Sequence, residues 1–157
     1  FFFKQKTAYE ILTCDWSSDV CSSDLKHIGL PYKVSFSGGE VTANKSFLPL
    51  IEYLRNGEFN IGQLLVVTNG SASKAYYLRL AKLVDAISFS THTEFWDEAK
   101  FLDTVIAVNQ VMIRPQKSIH VNIMDEPKAR HRFQEFLSIF DEHNISSSIN
   151  KINYDQA

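Results

Sequence analysis

The stretch from Gln63 to Ser90, QLLVVTNGSASKAYYLRLAKLVDAISFS, decides the fold class of this chain. Its two ends, Gln63 to Thr68 and Ala86 to Ser90, are short apolar runs bounded by polar turn residues, and we predict both to be β-strands. A helix is predicted between them, with an apolar face formed by Tyr76, Tyr77, Leu80 and Leu83. A strand, a helix and a second strand in this order imply a parallel pair joined by a right-handed crossover.

The same alternation extends to both sides of this unit. Further strands are predicted at Lys33 to Ser37 and Ile119 to Met124, with Ser146 to Ile149 as a candidate fifth. The intervening helices have apolar faces formed by Phe47, Leu50, Ile51 and Leu54, by Phe101, Leu102, Val105 and Ile106, and by Phe133, Phe136, Leu137 and Phe140. We interpret these faces as core contacts rather than as a cofactor-binding surface. The spacing of the strands is that of a (β/α)₈ barrel, of which about half is visible.

Composition and charge exclude several classes of function. The chain has 157 residues, with 16 Lys and Arg against 18 Asp and Glu and a formal net charge of -2. This balance gives no electrostatic reason to expect a nucleic acid or an anionic membrane surface as a partner. No apolar run reaches the ~20 residues that a membrane span needs. We therefore expect a globular, cytoplasmic protein.

Residues 1–25 differ from the rest of the chain. Phe1 to Leu25, FFFKQKTAYEILTCDWSSDVCSSDL, lacks a helical or strand period over its second half and lacks the organisation of a secretory signal. The string resembles translated sequencing-adapter read-through, so we expect a non-native leader over 1–25 and a partial core domain over 26–157. A natural but poorly ordered leader is the alternative. Both cysteines, Cys14 and Cys21, lie in this leader.

A parallel α/β sheet gathers the loops that follow its strands at one edge, where ligands bind. After the first strand comes Ser37 followed by Gly38, Gly39 and Glu40. The glycines allow positive φ or a close approach of backbone to ligand, and the carboxylate favours an ammonium group over a phosphate. The segment has neither a Walker-type nor a dinucleotide-binding pattern. A simple turn is the alternative interpretation.

The loops after the next two strands also carry polar residues. Thr68 and Asn69 begin a segment that could line a site, or could serve only as a turn and a helix cap. Strand alternation places Ser88, Ser90 and His92 on one face, so Ser90 and His92 are candidates for a pocket. A catalytic serine is not expected, because no nucleophile elbow is present.

The loop after the fourth strand contains Asn122, Asp125 and Glu126, followed by Pro127. The two carboxylates could be metal ligands, general bases or residues that favour a helix start. We favour the last interpretation, because Pro127 suits a first helical turn and carboxylates are stabilised by the helix dipole.

Four segments in this order, VSFSGGEVT, LLVVTNGS, ISFSTHTEF and HVNIMDEP, resemble the radical S-adenosylmethionine superfamily over roughly residues 28–144. The resemblance implies a fragment of a partial (β/α)₆ TIM-like barrel that lacks its first βα unit. It also implies a [4Fe-4S] cluster on a Cys-x-x-x-Cys-x-x-Cys loop, and reductive cleavage of S-adenosyl-L-methionine to a 5′-deoxyadenosyl radical that abstracts hydrogen from substrate. A flavodoxin or ferredoxin would be the reductant, and the substrate itself is not implied.

The resemblance assigns cofactor-binding roles residue by residue. Gly38, Gly39 and Glu40 match the motif that binds the methionyl ammonium, although Val41 stands where the family commonly has proline. Ser90 and His92 match positions that meet the ribose or carboxylate, and Thr68, Asn69 and Asn122 are weaker matches. No catalytic residue and no metal ligand is assigned in this chain.

The cysteine loop of the family has no counterpart here, because Cys14 and Cys21 cannot supply three ligands with that spacing. We therefore expect a parent enzyme of which this chain is an inactive fragment, with an exposed sheet edge prone to aggregation. One alternative is a non-catalytic α/β module that binds a nucleoside or an amino acid without a metal. Another is a flavodoxin-like or Rossmann-like domain, against which the lack of a phosphate-binding glycine loop counts.

Overall fold

The computed structural model of the chain describes residues 31–92, 97–112, 117–125 and 130–151. The leader with both cysteines, together with Glu126 and Pro127, lies outside these residues. The described elements are β1 (Tyr32–Phe36), α1 (Phe47–Asn56), β2 (Ile61–Thr68), α2 (Lys74–Leu83), β3 (Ala86–Thr91), α3 (Glu98–Val111), β4 (Ser118–Asp125), α4 (Phe133–Glu142) and β5 (Ser146–Lys151). Two 3-10 turns, Val41–Ala43 and Arg130–Arg132, precede α1 and α4.

The five strands form one sheet in which every neighbouring pair is parallel and the order is β1-β2-β3-β4-β5. The predicted α/β class and all five predicted strands are confirmed, with ends that differ by at most two residues. Within the described part of the chain the strand order never reverses. A doubly wound sheet has such a reversal at its ligand-binding crevice, so the topology disfavours the flavodoxin-like and Rossmann-like alternatives.

The two faces of the sheet differ in character. Consecutive adjacent strands with right-handed crossovers carry their helices on the same face. On that face Val66 pairs with Ile87, which pairs with Ile119, and all three side chains are buried. We call the other side the open face; its side chains on β2, β3 and β4 are half-buried or exposed. Alternation along each strand therefore separates a core side from a side that can meet ligand.

Aromatic side chains join the helices to the core side of the sheet. Phe47 of α1 packs edge-on against Phe36 of β1, with ring centroids 5.3 Å apart. Phe89 of β3 contacts Tyr77 of α2 at 5.2 Å and Phe101 of α3 at 5.8 Å, again edge-on. Edge-to-face pairs of this kind add about 0.5–1.5 kcal/mol beyond the area they bury. The helical faces predicted from the apolar pattern are thus core contacts, as expected.

A hub of partly buried polar side chains lies at the amino edge of the sheet. Asp85 Oδ2 accepts hydrogen bonds from the Leu64 amide at 2.8 Å and from Arg55 Nη2 at 2.5 Å. The Arg55 Nε also donates to the Leu83 carbonyl at 2.7 Å. These bonds connect α1, the end of α2 and the starts of two strands. The amino edge is therefore satisfied internally, and the carboxyl edge is where polar groups remain for ligand.

None of the helices in the described part of the chain is long and apolar enough to cross a membrane.

Candidate functional site

The turn after β1 is shaped by two consecutive glycines. Gly38 and Gly39 have φ angles of +98° and +54°, a conformation that residues with a Cβ rarely adopt. A Cβ added at either position would meet nothing within 4 Å. The backbone conformation, rather than close packing, is therefore what requires glycine here, and the turn borders open space.

Glu40 connects this turn to the end of the neighbouring strand. Its Oε1 accepts hydrogen bonds from the Thr42 amide at 3.0 Å, from the Thr42 hydroxyl at 2.6 Å and from the Thr68 hydroxyl at 2.7 Å. Its Oε2 accepts from the Asn69 amide at 2.6 Å. The carboxylate thereby fixes the glycine turn relative to the carboxyl end of β2 and caps the 3-10 turn that follows. Three of the sequence-predicted residues, Glu40, Thr68 and Asn69, are brought together.

A chain of hydroxyl groups extends this junction into the core. A carboxylate only accepts, so the single proton of the Thr68 hydroxyl goes to Glu40. The hydrogen bond of 2.8 Å between Thr68 Oγ1 and the Tyr77 hydroxyl must then be donated by Tyr77. The Tyr77 oxygen accepts in turn from the Ala72 amide at 3.3 Å. Thr68 is 2 % exposed, so it supports Glu40 from beneath rather than lining an open pocket.

Burial keeps the phenols beneath this junction protonated. Desolvation raises the pKa of Tyr77, and the nearby Glu40 charge raises it further, while the hydrogen bond donated by the Ala72 amide opposes the shift. Desolvation likewise raises the pKa of Tyr76, with Tyr77 and Glu40 adding to it. The Tyr76 hydroxyl is buried without a hydrogen-bond partner in the part of the chain that is described. Tyr77 therefore stays a hydrogen-bond donor throughout the neutral pH range.

Glu40 differs from the other half-buried carboxylates in its electrostatics. Each of the others forms an ion pair with an arginine: Glu52 with Arg79, Asp85 with Arg55, Glu98 with Arg132, and Asp125 with Arg130. Across residues 31–151, as far as they are described, no cation pairs with Glu40. Its charge is met only by N–H and O–H dipoles of its own chain. A partly buried carboxylate in this state favours the approach of a cation.

The open face carries a second polar cluster. Ser90 pairs in register with Asn122, and both are half-buried on this face. The Asn122 amide nitrogen donates to Ser88 Oγ at 3.0 Å. Its carbonyl oxygen faces β5 and lies 3.1 Å from His120 Nε2. Strand alternation thus predicted the position of Ser88 and Ser90 correctly, and the structure adds His120 to them.

His92 leaves this face, because β3 ends at Thr91. His92 is exposed and lines a pocket of about 310 Å³ on the core side of the sheet, together with Asn69, Gly70, Thr91 and Lys100 among others. The structure therefore brings His92 together with Asn69. Gly70 shapes this pocket, since its φ is +81° and a Cβ there would lie 2.7 Å from the Phe101 ring.

Asp125 ends β4 rather than starting a helix. Both of its carboxylate oxygens accept from Arg130, from Nε at 2.6 Å and from Nη2 at 2.8 Å. This bidentate pair explains the position of Asp125 without a metal or a catalytic role.

The residues of this chain do not fit a [4Fe-4S] cluster. No group of three or more His, Cys, Asp or Glu side chains that could hold a metal occurs in the described ranges. Cys14 and Cys21 lie outside those ranges, and two thiolates cannot replace the three that such a cluster takes from its binding loop.

No family model matches the sequence, and no curated protein gives a significant match.

Sequence reasoning missed three contributors to these clusters: Tyr77, His120 and Ser148. Tyr77 was interpreted only as part of an apolar helical face, because the pattern does not show where a phenol oxygen points. His120 and Ser148 occupy alternate positions of two predicted strands together with Asn122 and Ser146. A polar alternation on adjacent strands was the signal that could have identified them.

Proposed function

We propose that this chain binds S-adenosyl-L-methionine at the carboxyl edge of its sheet, as part of the core of a radical S-adenosylmethionine enzyme with a partial (β/α)₆ barrel. The sequential parallel order of β1 to β5 supports a barrel-like architecture, because consecutive barrel strands are neighbours. The ordered motifs at the strand ends support the family. Hydrogen-atom abstraction from substrate would be the reaction of the parent enzyme.

One observation carries the binding proposal. Glu40 is the half-buried carboxylate without a cation in the described residues, and it adjoins the open Gly38 and Gly39 turn. An ammonium group placed there would meet the negative charge that no described side chain neutralises. A phosphate would be repelled by it. The methionyl end of S-adenosyl-L-methionine carries an ammonium group, and its sulfonium adds a second positive charge.

The remaining predicted residues suit the other parts of this ligand. Ser90 and Asn122 on the open face offer hydroxyl and amide groups of the kind that bind ribose. Asn69 and His92 are close enough to line one pocket at the same edge. Thr68 acts through Glu40, because its proton is donated there.

The [4Fe-4S] cluster of the family supplies the electron that cleaves the sulfonium. This sequence has no set of cysteines that fits that cluster, so the proposal for this chain is restricted to binding. A metal-independent module for a nucleoside or amino acid is the second candidate, motivated by the sequence, in which Cys14 and Cys21 cannot supply the three thiolates of such a cluster. The two candidates differ in how tightly the chain alone should bind.

Titration of the whole 157-residue chain with S-adenosyl-L-methionine, followed by calorimetry and ligand-observed NMR, tests the proposal. Without the iron that chelates the amino and carboxylate groups in the family, we expect weak binding, with a Kd of about 1 mM, equivalent to about 4 kcal/mol. Glu40→Gln should weaken it about tenfold, since the charge is lost. Glu58→Gln, an exposed control, should leave it unchanged.

Three outcomes distinguish the candidates. Weak binding that depends on Glu40 supports the proposal. Sub-micromolar binding of adenosine or methionine would support the metal-independent module instead. An absence of binding at several times the expected Kd, or binding that Glu40→Gln does not change, would refute the proposed site.

A further inference from the structure

A network of polar side chains crosses three strands on the open face, and the cofactor assignment uses only part of it. In register, Ser88 of β3 lies beside His120 of β4, which lies beside Ser146 of β5. One step further along the strands, Asn122 lies beside Ser148. We call these five side chains, with Asn150 at the next position, the polar ladder.

Asn122 is the centre of the ladder, and its amide has one orientation. Its Oδ1 accepts from Ser148 Oγ at 2.8 Å, from Asn150 Nδ2 at 2.9 Å and from His120 Nε2 at 3.1 Å. Its Nδ2 points the other way and donates to Ser88 Oγ at 3.0 Å. In this orientation His120 and the two β5 side chains all donate to Oδ1. Along the ladder each group therefore donates towards β3, from Ser148 to Asn122 and from Asn122 to Ser88.

The direction of the ladder also fixes the tautomer of His120. The proton of Ser148 goes to Asn122, so Ser148 can only accept in its 3.0 Å hydrogen bond with His120 Nε2. When the imidazole is neutral, its proton is therefore on Nε2. Its Nδ1 then accepts from the Ser146 hydroxyl at 2.8 Å. Every polar atom of the imidazole is engaged, which makes His120 a rigid support rather than a direct ligand contact.

The hydroxyl groups that can still donate a hydrogen bond lie at the β3 end of the ladder. Ser88 Oγ accepts from Asn122, and its own proton has no acceptor within the described residues. The hydroxyl of Ser90, the next open-face residue of the same strand, makes no hydrogen bond to any described residue. Two serine hydroxyls are thus presented side by side, and the first is held in place by Asn122. A ligand that accepts hydrogen bonds would complete this end.

The surroundings of Ser88 are apolar on one side and uncharged on the other. Val67 of β2 is its register neighbour, and Leu65 lies two residues earlier on the same face. Of the open-face strand positions that the structure describes, only Lys33 is formally charged, and it is exposed on β1. Two strand steps separate β1 from Ser88 in β3, or about 10 Å at the usual strand spacing, and Lys33 pairs with Gln63, four residues before the Val67 that lies beside Ser88.

We propose that the polar ladder is a binding site for an uncharged substrate group with a carbonyl or carboxamide oxygen, which accepts from Ser88 while its apolar part rests on Val67 and Leu65. A carboxylate or phosphate would lose its hydration on this face without gaining a cation. The inference rests on the proposed function only in calling the ligand a substrate. The binding claim depends on the ladder alone.

Nicotinamide and nicotinate form a matched pair of probes, since they share a ring and differ in a neutral carboxamide against a carboxylate. Each is titrated into the isotopically labelled whole chain, and the side-chain signals of Asn122 and His120 are followed by NMR. We expect nicotinamide to shift both sets of signals, and nicotinate to bind at least tenfold more weakly. The imidazole signals should report the Nε2–H tautomer before any probe is added.

Ser88→Ala removes the free donor together with the bond that Ser88 accepts from Asn122, and it leaves the bonds among Asn122, His120 and the β5 side chains in place. It should weaken nicotinamide binding about fivefold, the effect of one hydrogen bond between neutral groups. Ser46→Ala is the matched control, because Ser46 is exposed and its side chain makes no helix-capping bond. Backbone amide spectra of both variants establish that the fold is kept.

The results separate this inference from the proposed function. Equal binding of the two probes, an unchanged affinity in Ser88→Ala, or an Nδ1–H tautomer would each overturn the ladder site. Glu40→Gln should leave nicotinamide binding unaffected, while it weakens binding of S-adenosyl-L-methionine. If the chain fails to bind S-adenosyl-L-methionine but still binds nicotinamide through Ser88, the ladder site stands and the proposed function fails.

Discussion

Replacing Tyr77 with phenylalanine tests whether the hydroxyl chain beneath Glu40 holds the site together. The ring would stay in the core against Phe89, and only the phenol oxygen would be lost. Its hydrogen bond to Thr68 at 2.8 Å contributes about 1 kcal/mol, a typical value for one intramolecular bond. The Ala72 amide, which donates to the same oxygen at a longer 3.3 Å, would lose its partner at a cost of about 1 kcal/mol more.

We therefore expect Tyr77→Phe to lower the free energy of unfolding by about 2 kcal/mol. Urea unfolding followed by circular dichroism measures this, with an unchanged m value. Tyr53→Phe is the control, because Tyr53 is 55 % exposed and its ring also makes an edge-on aromatic contact, with Phe59. That variant should stay within about 0.5 kcal/mol of the parent.

A double-mutant cycle with Thr68→Val decides whether the loss comes from the proposed chain. If Tyr77 donates to Thr68, the two substitutions share a hydrogen bond, and the cycle should give a coupling energy of about 1 kcal/mol. Strict additivity, or a loss below about 0.5 kcal/mol in Tyr77→Phe, would refute the hydrogen bond between the two hydroxyls. The reasoning that makes Thr68 a support for Glu40 would then be wrong as well.

Three further outcomes follow from the same structure. Burial raises the pKa of Tyr77 above its unfolded value, so the native state holds that proton more tightly. The free energy of unfolding should therefore fall as pH rises beyond about 10. An equally steep fall in Tyr77→Phe would contradict this. Asp85→Asn should lower the free energy of unfolding in urea by about 1–2 kcal/mol, because it breaks a partly buried ion pair with Arg55. A change below about 0.3 kcal/mol would show that this cluster does not stabilise the amino edge. Gly70→Ala should lower the free energy of unfolding by about 2–3 kcal/mol, because it combines a positive φ with a Cβ only 2.7 Å from the Phe101 ring. An unchanged melting temperature would argue against that contact.

The elements of the fold were predictable because their signals are local. The apolar run at Gln63 to Thr68 and the helical face around Leu80 repeat with periods that a strand and a helix impose. The observed β2 begins only two residues earlier than predicted, at Ile61. The strand order was predictable as well, since short crossovers leave neighbouring strands adjacent.

The chemistry of the site was less predictable because it depends on contacts between distant residues. Glu40 was predicted to lie at a ligand site, but the pattern did not show that Thr68 and Asn69, nearly thirty positions away, donate hydrogen bonds to its oxygens. Asp125 was expected to favour a helix start, but the strand continues to it and Arg130 pairs with it. Neither pairing has a periodic signature, so only the folded arrangement reveals it.

The position of His92 depends on where β3 ends. Alternation continued past the end of β3 would keep His92 on the same face as Ser90, and the sequence interpretation assumed that it did. The strand ends at Thr91, and the backbone beyond it carries His92 to the pocket that Asn69 lines. Strand ends are the least certain part of a pattern-based prediction, and functional residues of parallel sheets lie at those ends.

The two polar clusters have opposite electrostatic requirements, and this limits what one ligand system can be. The turn at Glu40 presents a negative charge with no counter-ion among the described side chains, so it favours a cation. The ladder at Ser88 presents uncharged donors, so it favours a neutral acceptor. A single phosphate-bearing nucleotide would satisfy neither cluster. A cationic amino-acid or sulfonium ligand at the Glu40 turn and a neutral substrate group at Ser88 would satisfy both clusters. This arrangement is expected when a charged cofactor acts on an uncharged group.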